Sequence, residues 1–383
     1  MNSRTFPKMG ILAAAVFLLA ACSVSSPASL FSPWPTVTPV FTPTSLPSPT
    51  ETMPPVTPTS TPVVSPPISP SNLQNLVSLY QWNLASDIVK LTGIAVSPLA
   101  DKLAWIAVRY PQAYSLELHE AQTGVLLWQQ TLDAKADYPA VAFSPDGSLV
   151  ASGTGSGNIT VWHVSDGSFS QTLKGASYAV RTIVFSPDGN LIAAAGSDSR
   201  IYVWRVADGT LQTSYASKYN IGSLLFSPNS RYLAASSDVF AVYDLASKRT
   251  SPAIYNEGIA PHPTSEMVFS PDGQFLIVEG ELNDAGHDVW IPRIVVWRLS
   301  SNRDSVRKVL LPNPIQNMVV FSDGQTVLGY DPTTEQLEVV DTPGKSIVGT
   351  VKIGELLFME YSADLSRFIT VTKTSVAVWG VSP

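Results

Sequence analysis

The sequence is almost devoid of cysteine and poor in histidine. Of its 383 residues, one is a cysteine, Cys22, and four are histidines. A single thiol excludes a disulfide within the chain and a zinc site built from several thiolates. The His-Glu-x-x-His, Walker-loop and EF-hand patterns are also absent, as is the Gly-x-Ser-x-Gly elbow of esterases. We therefore expect no metal, no cofactor and no catalytic residue.

Charge is also scarce, and what charge there is has a negative balance. Charged residues make up 14% of the chain, and 30 acidic residues against 23 basic ones give a net charge of -7. Nucleic-acid binding rewards a basic patch, which this composition does not predict. The sequence also has no polybasic segment for anionic lipid. Nucleic acid is therefore excluded as an expected partner.

Residues 1–21 have the character of a secretory signal. Arg4 and Lys8 precede an apolar run from Met9 to Ala21, which is shorter than the roughly 20 residues of a membrane span. The run ends in Leu19-Ala20-Ala21-Cys22, which resembles the bacterial lipobox. That resemblance implies lipidation of Cys22 and a place in the cell envelope, anchored on the extracytoplasmic side of a membrane. An ordinary cleaved signal or an uncleaved anchor is the alternative.

Residues 22–72 have the composition of a tether. Between residues 23 and 72 there are 14 prolines and 20 serines or threonines, and Glu51 carries the only charge. Such a segment cannot bury enough apolar area to offset the entropy of ordering, so we expect it to be disordered. Both a bare spacer and an O-glycosylated stalk fit this composition.

A repeat fills residues 73–383. Its marker is an aromatic residue or valine followed by Ser, usually within Ser-Pro-Asp-Gly, and successive marker serines lie 47, 42, 41, 43, 52 and 40 residues apart. A period of about 40–45 residues is typical of β-propeller blades. The seven marker serines are Ser97, Ser144, Ser186, Ser227, Ser270, Ser322 and Ser362.

The chemistry of the marker predicts a tight turn between two strands. Proline fixes φ, glycine accepts a positive φ, and Asp146, Asp188 and Asp272 accept local backbone hydrogen bonds. An Ala-rich strand such as Leu191–Ala195 follows each turn, and small side chains suit an inner strand packed between neighbouring sheets. A third strand ending in an aromatic residue and a more polar outer strand complete each unit.

These units resemble WD40 repeats over roughly residues 76–383, as in Ile159-Thr160-Val161-Trp162. The resemblance implies an all-β, seven-bladed propeller of four-stranded antiparallel blades. Leu76–Trp82 would then complete the last blade and close the ring, and Asp198 would take the family's buried-aspartate position. The family's Gly-His dipeptide is missing, so a propeller similar to the TolB domain is an alternative. Another is a six-bladed ring with an irregular first segment.

Two irregular places are candidate binding sites. The longer is an insertion at residues 279–292 between the second and third strands of unit five; the shorter is the matching link of unit one. We expect one of three things of the insertion: a partner-contact loop, an oxygen-ligand metal site or an extended hairpin. The candidate residues are Glu281, Asp284, His287, Asp288, Trp290, His262, Tyr110 and Tyr114. His119 and His163 are expected to be exposed residues at strand ends.

Together these features favour a non-catalytic scaffold that binds an unidentified protein partner and is held to a membrane through Cys22. This prediction depends partly on the resemblance, because a fold does not fix a function. One alternative is a sensor of small ligands or carbohydrates, suggested by Tyr110, Tyr114 and Trp290. Another is a hydrolase or lyase that uses His262 and His287.

Overall fold

The strands of the domain follow one another with almost no other regular structure. The computed structural model of the chain describes residues 65–109, 113–132, 140–153, 155–176, 179–218, 220–237, 240–250, 259–260, 267–284, 289–299 and 305–382. These residues form β-strands and one 3-10 turn, Leu73–Asn75. None of the helices in these ranges has the length and apolar character needed to cross a bilayer.

The strands, in chain order, are β1 (Leu76–Asn83), β2 (Ile88–Val96), β3 (Lys102–Arg109), β4 (Ala113–Glu120), β5 (Leu126–Leu132), β6 (Val141–Phe143), β7 (Leu149–Gly153), β8 (Ile159–His163), β9 (Phe169–Leu173), β10 (Val180–Phe185), β11 (Leu191–Gly196), β12 (Arg200–Arg205), β13 (Leu211–Ala216), β14 (Ser223–Phe226), β15 (Tyr232–Ser236), β16 (Phe240–Asp244), β17 (Arg249–Thr250), β18 (Ile259–Ala260), β19 (Met267–Phe269), β20 (Phe275–Asp284), β21 (Val289–Arg298), β22 (Ser305–Leu310), β23 (Gln316–Val320), β24 (Thr326–Asp331), β25 (Gln336–Asp341), β26 (Ser346–Lys352), β27 (Phe358–Tyr361), β28 (Arg367–Val371) and β29 (Ser375–Val381).

They form seven antiparallel sheets, the blades, which we number in chain order. Blades one to four are β2-β3-β4-β5, β6-β7-β8-β9, β10-β11-β12-β13 and β14-β15-β16-β17. In blade five, both β18 and β19 pair with β20, which is followed by β21 and β22. Blade six is β23-β24-β25-β26, and blade seven is β27-β28-β29-β1.

The ring is closed by the first strand of the domain. The innermost strands of successive blades contact one another, and β27 of blade seven contacts β2 of blade one. Strand β1 pairs antiparallel with β29, with Leu76 opposite Val381 and Asn83 opposite Ser375. The predicted seven-bladed fold and the closing role of Leu76–Trp82 are therefore confirmed, and the six-bladed alternative is wrong.

The marker serine spans the turn between the first two strands of a blade. Ser144 Oγ donates to Asp146 Oδ1 at 2.5 Å and accepts the Leu149 N–H at 2.9 Å. Gly147 takes a positive φ of 70°, which costs glycine little. Because the hydroxyl acts as donor and acceptor at once, it ties the turn to the start of the next strand.

Both tight turns of a blade lie at the same end of the sheet. Just past the third strand, the Val164 N–H bonds to Ser148 O at 2.9 Å, and the Val206 N–H bonds to Asn190 O at 2.9 Å. These bonds join the end of the third strand to the turn between the first two. We call this end of the propeller the turn face. The links from second to third strand and from blade to blade lie at the opposite end.

The core is a set of apolar layers between neighbouring blades. The Ala-rich second strand β11 is buried over Ile192–Gly196, and its alanines contribute to the layers on both sides. Small residues on the second strand therefore set the close spacing of the blades, as the sequence predicted.

Residues 65–72 pack on the propeller although their composition matches the tether. The side chain of Ile68 is buried in the layer between blades six and seven, and its N–H bonds to Leu365 O at 2.9 Å. Asn72 Oδ1 accepts the Ser69 N–H at 2.7 Å. The folded domain therefore includes residue 65, because one well-placed isoleucine anchors a segment that is otherwise rich in proline and serine.

Candidate functional site

Most of the insertion of blade five is strand. Strands β20 and β21 run for 10 residues each and stay paired out to Asp284 and Val289. Glu281 lies opposite Pro292, and Trp290 opposite Asn283. Of the three expectations for this insertion, the extended hairpin describes its backbone. His262, His287 and Asp288 lie outside the described residues.

Tyr114 of blade one lies at the same end of the propeller as this hairpin. Tyr114 is half-buried and packs against the apolar layer between blades one and two. Tyr110 lies outside the described residues. Since blades one and five are not neighbours in the ring, Tyr114 and the described part of the hairpin share an end of the propeller without lying side by side.

A buried carboxylate of blade one is the most heavily bonded side chain that the sequence did not reveal. Glu117 on β4 accepts hydrogen bonds from Trp105 Nε1 at 3.1 Å, from Ser115 Oγ at 2.7 Å and from Arg109 Nη1. Its other neighbour is His119 Nε2, at 3.2 Å. Glu117 is completely buried, and Arg109 continues outward to an ion pair with Asp87 at 2.8 Å.

These contacts fix the charge of Glu117. Burial alone would raise its pKa, but the hydrogen bonds from His119, Arg109, Ser115 and Trp105 lower the pKa to about 2. Ser115 donates to the carboxylate, whereas an activated nucleophile would donate to His119. The arrangement is that of a structural ion-pair network, which also perturbs pKa values.

The expectation of an exposed His119 is wrong. The residue is 8% exposed, and its ring centroid lies 4.3 Å from that of Trp105 and 6.0 Å from that of Trp82. The register explains the difference, because His119 occupies the bulge position that Trp162 takes in blade two. A shift of one residue moves a strand side chain to the opposite face. His163, one position further on in its own blade, is exposed.

A recurrent latch joins blade seven to one, one to two, and two to three. A side chain on the outer strand of one blade donates to the carbonyl that follows the third strand of the next. The pairs are Trp82 Nε1 to Ala121 O at 3.0 Å, Trp128 Nε1 to Val164 O at 2.8 Å and Gln171 Nε2 to Val206 O at 2.5 Å.

Glycine makes room for each latch. Gly124, Gly167 and Gly209 have positive φ values of 74°, 71° and 68°. A Cβ at Gly124 would collide with the ring of Trp82, and one at Gly167 with the ring of Trp128. The glycine of the turn between the third and fourth strands therefore serves both the turn and the contact between blades.

Asp146, Asp188 and Asp272 lie in the turn face, whereas Asp198 lies at the opposite end, in the link between β11 and β12. Asp146 and Asp272 accept hydrogen bonds from their marker serines and from backbone N–H groups, which lower the pKa of both carboxyls. Ser186 Oγ donates to Asp188 Oδ1 at 2.6 Å in the same way. Asp198 is half-buried and accepts the Tyr202 hydroxyl at 2.8 Å.

A cavity of about 800 Å³ opens around the central axis, bounded by innermost strands of blades one, two, three, four, six and seven. Its wall is largely apolar, with Ile94, Val184 and Leu225 among the lining residues. Glu360 of β27 is the charged residue in this lining, and it accepts the Val96 N–H at 2.8 Å. Burial raises the pKa of Glu360 to about 7, against the lowering effect of that N–H.

The outer wall of four consecutive blades carries no charge. Strands β1, β5, β9 and β13 of blades seven, one, two and three contain no Asp, Glu, Lys or Arg. Exposed apolar side chains begin the outer strands of blades one to three, next to the turn face. We call this set the apolar rim: Val125, Leu126, Leu127, Phe169 and Leu211.

Comparisons with known proteins agree with this architecture. Residues 129–163 and 167–205 match the family model described as WD40, "WD domain, G-beta repeat". No curated protein matches the chain. A solved structure titled "Kuenenia stuttgartiensis Hydrazine Synthase" is similar over 76% of this chain and 96% of that one, with a TM-score of 0.60 and 16% identity. At that identity the similarity concerns the fold alone. The chain is a seven-bladed β-propeller that contains WD40 repeats.

Proposed function

We propose that this chain is a lipid-anchored, extracytoplasmic propeller that acts as a non-catalytic scaffold for a protein partner. The apolar rim is the observation that carries the proposal. Phe169 is 59% exposed and Leu211 43% exposed, at equivalent positions of neighbouring blades. Exposed apolar groups on a rigid, neutral wall are a typical feature of protein contact surfaces.

The buried chemistry supports a scaffold more than an enzyme. The Glu117 network lies under Trp82 and is occupied by its own hydrogen bonds. In the described part of the chain, no group of three or more His, Cys, Asp or Glu residues could hold a metal ion. WD40 propellers commonly bind proteins, which agrees with this assignment.

Partner capture tests the proposal directly. We expect the double variant Phe169→Ser/Leu211→Ser to lose at least about 90% of a partner that cross-links to the full chain in its own membrane, because truncating central apolar contacts costs ~2 kcal/mol or more. The measurement is quantitative mass spectrometry after cross-linking and purification.

The matched control is Val89→Ser/Leu357→Ser, which replaces two exposed apolar residues at the opposite end of the propeller. Unchanged melting temperatures show that both variants fold. If the rim variant and the control capture the same proteins in equal yield, the rim is not the scaffold surface and the proposal fails.

The anchor has its own test. Cys22→Ser removes the thiol that a lipobox would acylate, so we expect the protein to leave the membrane fraction, because several acyl chains are what make such an anchor stable. Fractionation followed by immunoblotting measures this, and Ser23→Ala is the control that should stay membrane-bound. Continued membrane attachment of Cys22→Ser would disprove the lipid anchor without bearing on the apolar rim.

A further inference from the structure

The outer strand of blade one presents an unprotected edge. Strand β5 ends the sheet order β2-β3-β4-β5, so among the described strands none pairs with its outer side. Its residues include no charge and no proline. Natural proteins usually protect such edges with charges, prolines, bulges or shortness, because an open edge is a template for another strand.

Strand β5 differs from the other uncharged outer strands in the length of its regular part. After the bulge at its start, β5 pairs regularly with β4 over Trp128–Leu132. The corresponding regular parts of β1 and β13 are shorter, at Tyr80–Asn83 and Thr213–Ala216. Strands β22 and β26 carry lysine or arginine. Among the described outer strands, β5 therefore has the longest regular edge, and that edge carries no charge.

We propose that a second copy of this chain pairs with β5, strand against strand, around a twofold axis. This rests on the proposed scaffold function and names one partner for it. An antiparallel pair of identical strands centred on Gln129 places Gln129 opposite its own copy. Leu127 then faces Thr131, and Trp128 faces Gln130, so no like charges meet.

Charge favours this place for self-association. The chain has a net charge of -7, so two copies repel each other over most of their surface. Strand β5 is flanked by the equally uncharged β1 and β9, which keeps like charges away from the contact. In a twofold pairing each copy's β5 edge is covered by the other's, so no free β5 edge remains and the assembly stops at two copies.

Gln129 allows a charge-exchange test, because its side chain is exposed and lies directly on the proposed axis. We expect the full chain in mild detergent to sediment as a monomer–dimer mixture. Gln129→Lys and Gln129→Glu each place like charges face to face and should weaken the dimer at least about tenfold. Mixing the two variants should restore a dimer of at least wild-type affinity.

Thr350→Lys is the matched control, since Thr350 is exposed on the outer strand of blade six and should leave the dimer unchanged. Gln129→Cys offers a second readout in native membranes. We expect a disulfide-linked dimer on oxidation, because paired strands bring the two Cα atoms within disulfide range. The parent chain and Thr350→Cys measure any background from Cys22.

A wild-type monomer at every concentration, or single variants that dimerise as the wild type does, would overturn the dimer. Loss of the dimer with foreign partners still captured at the apolar rim would leave the scaffold proposal standing. A dimer that captures no foreign partner would support the β5 pairing and contradict the scaffold at the apolar rim. The two proposals therefore fail separately.

Discussion

Deletion of residues 73–83 is expected to abolish the cooperative unfolding transition of the propeller. The deletion removes β1, which pairs with β29 along its whole length, and Trp82, which latches blade seven to blade one. It also removes Leu73, which is buried in the layer between blades six and seven. Burial of such side chains is worth about 2 kcal/mol each, against a total stability of about 5–15 kcal/mol. The remaining chain should therefore fail to hold a closed ring.

Thermal unfolding followed by circular dichroism measures this, together with binding of a dye for exposed apolar surface. Deletion of residues 51–58 in the predicted tether is the control, and it should keep the parent melting temperature. A synthetic peptide of residues 70–84 added in trans should restore a transition, and the same peptide with Trp82→Ala should restore less. A sharp transition at the parent temperature after deletion of 73–83 would show that ring closure does not stabilise the fold.

The repeat chemistry made the architecture predictable. In blades two, three and five the marker serine and its Asp-Gly turn form the predicted hydrogen bonds, because the whole motif lies within six consecutive residues. In blade six Ser322 is exposed instead, and Asp323 accepts the N–H groups of Gln325 and Thr326. The closing role of Leu76–Trp82 also followed, because a count of strands left the seventh blade one short. Short-range chemistry and counting therefore suffice for the number and order of the blades.

The Glu117 network did not follow from the sequence. Its members become neighbours only through the register of β3 against β4, which sets Trp105 opposite Glu117 and Leu103 opposite His119. The Ser115-x-Glu117-x-His119 alternation on one strand face was the available signal. A bulge of one residue, between Leu118 and His119, decides which face of the strand is buried at this point. The repeat pattern does not reveal this bulge, so it predicts the wrong exposure for His119.

The latches could not be predicted from the sequence for a related reason. A turn position accounts for the positive φ of Gly167 and Gly209 but not for their contacts with Trp128 and Gln171 of the preceding blade. Gly124 performs the same task without an aspartate before it in the turn. Contacts between blades join residues about 35–40 positions apart, and no local pattern encodes them.

The hydrogen-bond network of Glu117 makes the stability of the contact between blades seven and one depend on pH. Glu117 has a pKa of about 2 in the folded chain against 4.5 for an unperturbed glutamate. A depressed pKa stabilises the fold fully above pH 4.5, and this contribution is lost as the pH falls from about 4.5 to about 2. The shift corresponds to about 3 kcal/mol at neutral pH.

Glu117→Ala is expected to lower the free energy of unfolding at pH 7 by about 3–5 kcal/mol, because it leaves Arg109, Trp105 and His119 without their shared acceptor in a buried place. Glu117→Gln keeps the shape and one acceptor oxygen, so its cost should be smaller. Its stability should also fall less steeply between pH 4.5 and 2. Glu120→Gln, three positions past Glu117 on the same strand and facing the other way from His119, is the matched control. Denaturant titrations at a series of pH values give these numbers. A Glu117→Gln variant with the wild-type slope in acid would show that the carboxylate does not hold the seam through its charge.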